Sequence, residues 1–288
     1  MQRRIGCASG VALAAGALLV GQAGPAVAQA PDGEPDAYAH AGALALNAVV
    51  GGVISGVSRE LRGGSFREAF TLGALGGGLS YGGKWVATRR FDGAGLSGRQ
   101  IAAVGHSFTR NAGAGESAFA RLTFPLWFAR LEWDRTRGRL RPGVQWSEVA
   151  ALTWAVASDD LELDAGTSLS TGAMVFDAPR RRVIRNGRDV NGFELEGVTV
   201  IAGIRASPYE DVLAHEVAHV LQGDLLQSAI GDPLETWLLE QVGAEGLRRL
   251  GPLGLIANTG WSTLNAVLWD APGSGPFEKE ARLLAGRR

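Results

Sequence analysis

At 288 residues the chain is long enough to bury one large core or two modest ones. Lysine and arginine number 28 against 29 acidic residues, a formal charge of -1, and no like-charge run exceeds Arg180-Arg181-Arg182, so the basic face that nucleic acid requires is missing. The one cysteine, Cys7, lies near the N-terminus, which excludes disulfides and thiolate metal ligands from the body of the chain.

Residues 1–28 have the form of a secretory signal. Arg3 and Arg4 open it, an apolar run from Gly10 to Val20 follows, and Ala26-Val27-Ala28 is an Ala-x-Ala cleavage site. The expected destination is periplasmic or extracellular. Residues 29–40, with their Pro, Asp and Glu, read as a flexible leader. A glycine-rich helical region is expected over 41–115. It contains two apolar stretches, Ala41 to Val57 and Ala69 to Ala87, the second broken by Lys84. Small residues let helices approach closely. Two readings stay open: a membrane-associated hairpin through residues 41–87, or two helices packed tightly on the remainder of the chain. Gly98 to Ala112 is expected to form another helix, with His106 as a partly buried or surface histidine and not a ligand.

A domain over 116–288 follows. From Leu122 the pattern turns β-like: Trp127, Ala129, Leu131 and Trp133 alternate with Phe128, Arg130, Glu132 and Asp134. Thr136-Arg137-Gly138-Arg139 reads as a turn, and Ser147 to Ser158 as a helix capped by Ser147. Short strands are expected at Ala173 to Phe176, Arg182 to Ile184 and Gly197 to Ala202, with a hairpin signal in Arg185-Asn186-Gly187-Arg188. Trp127, Trp133, Trp146 and Trp154 read as core. The fold class is α+β: glycine-rich N-terminal helices, a small antiparallel or mixed sheet, a metal-site helix and C-terminal helices.

His215-Glu216-Val217-Ala218-His219 carries the chemistry. On a helix, His215 and His219 project from one face and can grip one metal ion, while Glu216 can reach a metal-bound water without ligating. Ser207-Pro208-Tyr209-Glu210 reads as a capping box and Gly223 as a stop. Leu213, Val217 and Val220 form an apolar stripe, with Val212, His215, His219 and Gln222 on another face. Asp211 and Gln222 could each hydrogen-bond an imidazole. Tyr209, at the helix start, reads as packing and not as an oxyanion donor. With no cysteine or histidine downstream, a carboxylate must complete the site, from among Glu235, Glu240, Glu245, Glu278 and Glu280. Asp224 lies too close along the chain.

This motif with a distant glutamate resembles the gluzincin branch of the zincin metallopeptidases, over residues 198–288. Glu240 stands near the thermolysin-like spacing, with Ala244 where an acid is expected. Pro276-Phe277-Glu278-Lys279-Glu280-Ala281-Arg282 resembles the Glu-x-x-Ala-Asp element of HtpX-like membrane and periplasmic peptidases. It is also similar to the Pro-x-Glu-x-Glu-Ala-Arg tail of bacterial proteins with His-Glu-x-x-His-x-x-Gln, a pattern Gln222 fits. The resemblance implies Zn2+ held by His215, His219 and Glu278, ahead of Glu240 and Glu235. It places Arg282 where an aspartate would orient a histidine. It further implies an exported zinc-dependent metallopeptidase that hydrolyses peptide bonds with a zinc-activated water and Glu216 as general base. A strand between 160 and 203 would then bind an extended peptide or protein substrate. The alternatives are a non-catalytic envelope or membrane-associated protein with a vestigial or structural zinc site, and a different zinc hydrolase such as a cell-wall amidase.

Overall fold

The computed structural model describes residues 37–179, 183–185, 188–204, 207–228 and 276–286. The expected signal, most of the leader, Glu235, Glu240 and Glu245 lie outside the described residues.

The architecture is α+β. Three long helices open it: α1 (Ala37–Leu61), α2 (Phe66–Ala87) and α3 (Ala94–Ala114). The first begins inside the span read as leader. Their contacts are made by small residues. A Cβ on Gly51 or Gly77 would strike the backbone of the facing helix, and one on Gly76 would stand 2.6 Å from the carbonyl oxygen of Gly105. Only glycine permits backbones this close. The close packing expected of the glycine-rich stretches is therefore present, and α3 joins it. This unit buries polar groups as well as apolar ones: Asn47, Ser55, Ser80, Lys84 and His106 are buried beside Tyr81, Ala102 and Phe108, while Leu44, Val49, Leu75, Leu79 and Trp85 face outward. His106 is more enclosed than its surroundings in sequence suggest. It pairs with Ser80 Oγ at 2.8 Å, and burial, then the charges of Lys84 and Arg99, push its pKa down to about 3.

Next comes an antiparallel meander of β1 (Arg121–Leu126), β2 (Ala129–Asp134) and β3 (Arg139–Val144). Leu126 pairs with Ala129, so Trp127 and Phe128 form a two-residue turn and Trp127 takes a φ of 53°. The alternation correctly marked the strands but not the bend. Helix α4 (Trp146–Val156) follows, and its N-cap is Gln145, without a side-chain bond. Ser147 lies inside the helix and is not its cap. Three of the tryptophans read as core, Trp133, Trp146 and Trp154, are 40–45% exposed.

The second sheet is mixed. Its strands are β4 (Glu162–Leu163), β5 (Met174–Ala178), β8 (Gly192–Leu195) and β9 (Val198–Ala202), in the order β4-β5-β9-β8. Strands β5 and β9 run parallel and the other pairs antiparallel. Between β4 and β5 lies α5 (Ala165–Thr171), and between β5 and β8 a small hairpin of β6 (Val183–Arg185) and β7 (Arg188–Val190) pairs Arg185 with Arg188. The β8–β9 turn has two residues at positive φ, Glu196 and Gly197, the geometry that suits the twist of tight hairpins. Met174, Phe176, Ala178, Val198 and Val200 pack on Ala151 and Ala155 of α4. The other face presents Val175 and Ile201 to Val212. Two-residue alternation thus buries both faces.

Val212 belongs to α6 (Tyr209–Leu226), which is clamped between that sheet and the helical unit. Val217 and Leu221 meet Ala87 and Ala102, and Ala218 meets Ala43 and Tyr81. Val212 is therefore core, and the apolar surface is wider than the stripe of Leu213, Val217 and Val220. No capping box forms: the N-cap is Pro208, and Ser207 Oγ instead accepts from Asn191 at 3.4 Å. Gly223 does not stop the helix, because Asp224 anchors the following turn to buried Arg99 at 3.0 Å. Helix α7 (Pro276–Leu284) closes the fold against α6, with Ala281 and Leu284 beside Ala43, Tyr81 and Ala218.

Candidate metal centre

Helix α6 turns His215 and His219 the same way, and α7 brings Glu278 opposite them. The three facing atoms form a nearly equilateral triangle. His219 Nε2 lies 3.2 Å from His215 Nε2 and 3.3 Å from Glu278 Oε2, and His215 Nε2 lies 3.4 Å from that same oxygen. Ligands at about 2.0–2.2 Å around a tetrahedral zinc stand about 3.3–3.6 Å apart, so the donor set fits the ion in size. It fits in chemistry too. Two imidazole nitrogens facing each other repel unless one bears a proton, whereas a cation accepts all three lone pairs at once. These are the residues that could hold a metal among those described.

Without a cation, protons take its place. Hydrogen bonds from His215 and His219 hold the Glu278 carboxyl far below the usual range, against the effect of burial. Burial pulls His219 down, but its bond to Glu278 and the charges of Glu216 and Glu278 prevail and push its pKa up to about 9.

Neighbouring groups fix the triangle. Gln222 Nε2 donates to the Phe277 carbonyl at 3.1 Å and to Glu280 Oε2 at 2.7 Å. Both partners only accept, so the amide has one orientation and Gln222 Oε1 must face His219 Nδ1, at 2.8 Å. One proton then sits on Nδ1, so the proton that Nε2 shares with Glu278 is the one a metal would displace, leaving that lone pair for the centre. Arg282 Nε donates to Glu278 Oε1 at 2.8 Å, leaving Oε2 to face the histidines. Arg282, which replaces the expected aspartate, therefore orients the carboxylate, and Gln222 orients the histidine. Asp211 orients neither imidazole and pairs with Arg90 at 2.8 Å. Tyr209 donates to Asp164 at 3.3 Å, away from the triangle. Asp224 is held by Arg99.

Glu216 is buried on the side of α6 that faces β8. A Cβ on Gly192 would stand 3.3 Å from its Cγ, so glycine leaves the room this carboxylate occupies. Two residues along the same strand face, Glu194 accepts from the Gly197 N–H at 2.6 Å. Burial pushes Glu194 up to about 7; the Gly197 bond lowers it, the charge of Glu196 raises it, and those of His219 and Glu216 act in opposite senses. Sequence reasoning missed Glu194, because an acid at the end of a short strand carries no spacing signature. It also took Lys84 for an interruption, although a lone cation in an apolar helix calls for a buried partner.

No family model, curated protein or solved structure matches the chain.

Proposed function

We propose that this chain is an exported zinc-dependent metallopeptidase. The observation that carries the reading is the triangle of His215 Nε2, His219 Nε2 and Glu278 Oε2, with edges of 3.2–3.4 Å, on a helix that also bears Glu216. His215, His219 and Glu278 hold the ion. When bound, zinc supplies Lewis acidity and lowers the pKa of a water in its open position towards about 7. Glu216 takes the proton from the attacking water and delivers it to the departing amine. It lies beside Gly192, near enough for its charge to raise the His219 pKa. Among the described residues strand β8 ends the sheet order, with its Gly192 against Glu216 of α6, so an extended peptide that added to this edge by backbone pairing would run beside α6. The arrangement also suits the non-catalytic alternative, which differs only in lacking turnover.

The test is direct. Purified protein lacking residues 1–28 is expected to hold about one zinc per chain. Glu216→Gln is expected to keep the metal and lose at least 100-fold of peptide hydrolysis, on the order of what general base catalysis supplies. Folded protein with zinc bound but no turnover of peptide libraries, in the unaltered chain, would favour the structural site.

A second observation supports placing the enzyme against a membrane. Leu44, Val49, Leu75, Leu79 and Trp85 face outward from α1 and α2, and Arg89 lies over the Trp85 ring at 4.5 Å. Among the described residues one helix, Ala37–Leu61, is long and apolar enough to cross a bilayer. An apolar face edged by tryptophan and arginine suits an interfacial position.

A further inference from the structure

Lys84 is wholly buried, in the last turn of α2, beyond a run of small and apolar residues. Its Nζ donates to both oxygens of Glu280, at 3.2 and 3.0 Å, and to Asn47 Oδ1 at 2.8 Å. Asn47 Nδ2 donates to Glu280 Oε1 at 2.7 Å and to the Ala43 carbonyl at 2.9 Å. Glu280 Oε2 then accepts from Gln222, whose other end faces His219 Nδ1. Every link in this chain has one permitted direction. An ammonium only donates, so Asn47 must turn its oxygen to Lys84 and its amide hydrogens to Glu280. A carboxylate only accepts, so Gln222 must turn its hydrogens to Glu280 and its oxygen to His219. The Phe277 carbonyl holds Gln222 the same way round, so what Lys84 supplies is the place of the Glu280 carboxylate, and the amide passes that on to the imidazole as a choice of tautomer.

We propose that Lys84, through Asn47 and Glu280, is a positioning residue for the metal centre: a relay from helices α1 and α2 that holds His219 as the Nδ1–H tautomer with Nε2 free to ligate. The inference rests on the zinc reading for its purpose but not for its geometry. It gives the glycine-rich helices a function beyond packing, since the cation that orders the ligand stands on α2. It also gives the two glutamates of Pro276–Arg282 distinct tasks, with Glu278 facing the histidines and Glu280 two residues on facing Lys84. A buried ion pair adds little to stability over a neutral replacement, so positioning, more than stability, is what the pair can supply here.

The experiment compares the full chain with Glu280→Gln, which keeps the volume but places an amide donor among donors, and with Lys84→Met/Glu280→Gln, which removes both buried charges together. Two quantities are read: zinc affinity by competition with a chelator, and the ring 15N shifts of His219. The shifts are recorded on metal-free protein at a pH high enough for the ring to be neutral. Circular dichroism and thermal melting confirm that each variant is folded. Both variants are expected to lose Nδ1–H population and to bind zinc about 10- to 100-fold more weakly, the usual effect of removing a group that orients a ligand. The double variant is expected to do so even with stability restored. Unchanged ring shifts in a folded variant would overturn the relay, as would wild-type zinc affinity in the double variant. Failure of the unaltered protein to bind zinc would instead overturn the zinc reading, and the tautomer result would still decide the relay.

Discussion

At the scale of single residues, charge balance around three atoms decides the chemistry. In metal-free protein the His219 pKa is raised to about 9, so the stability from its contact with Glu278 is complete below the ordinary imidazole value of 6.5 and is lost as pH rises through about 9. The Glu278 pKa is depressed, so its contribution is present above the ordinary carboxylate value of 4.5 and is lost as pH falls towards the depressed one. Zinc binding near pH 7 must therefore expel the proton from His219. Calorimetry in buffers of different ionisation enthalpy is expected to show about one proton released per zinc, with affinity rising up to about pH 9. A binding enthalpy indifferent to the buffer would contradict this. Glu278→Gln removes the negative partner, and zinc affinity is expected to fall beyond the effect of Gln222→Leu, itself about 10- to 100-fold.

At the scale of elements, close helix approach sets which substitutions the fold tolerates. Gly77 and Gly82 lie on the same helix, yet a Cβ at Gly77 would meet the Asn47 backbone whereas one at Gly82 meets nothing within 4 Å. Gly82→Ala is expected to raise stability by about 0.5–1 kcal/mol through helix propensity. Gly77→Ala is expected to lower it by about 1–3 kcal/mol through overpacking, both measured by denaturant unfolding. Equal effects at the two sites would refute the packing described. The helices and the hairpin were legible because periodicity and turn residues act locally. The caps were not, because Ser207 and Ser147 can serve other partners and only tertiary structure decides which. His215 and His219 could be paired from spacing alone. Glu278 was named by resemblance and not by spacing; what separates it physically from Glu280, two residues on, is that the first faces the histidines and the second faces Lys84.

At the scale of the whole molecule, helix α6 is not supported by its own region alone. It is buried between the mixed sheet and α1–α3, and Glu280 is compensated by Lys84 of α2. A fragment of residues 116–288 is accordingly expected to lose zinc binding and to melt without cooperativity, whereas the chain lacking only residues 1–28 keeps both. The outward apolar face of α1 and α2 predicts co-flotation of that longer chain with lipid vesicles, reduced by Leu75→Ser/Leu79→Ser without loss of zinc. The central claim is that one cation sits among His215, His219 and Glu278, and anomalous X-ray scattering at the zinc edge tests it most directly. A single peak bonded to His215 Nε2, His219 Nε2 and Glu278 Oε2 at about 2.0–2.2 Å, with one position open to water, is the predicted result. Folded, zinc-supplied protein with no peak there, or a peak that leaves Glu278 uncoordinated, would contradict it.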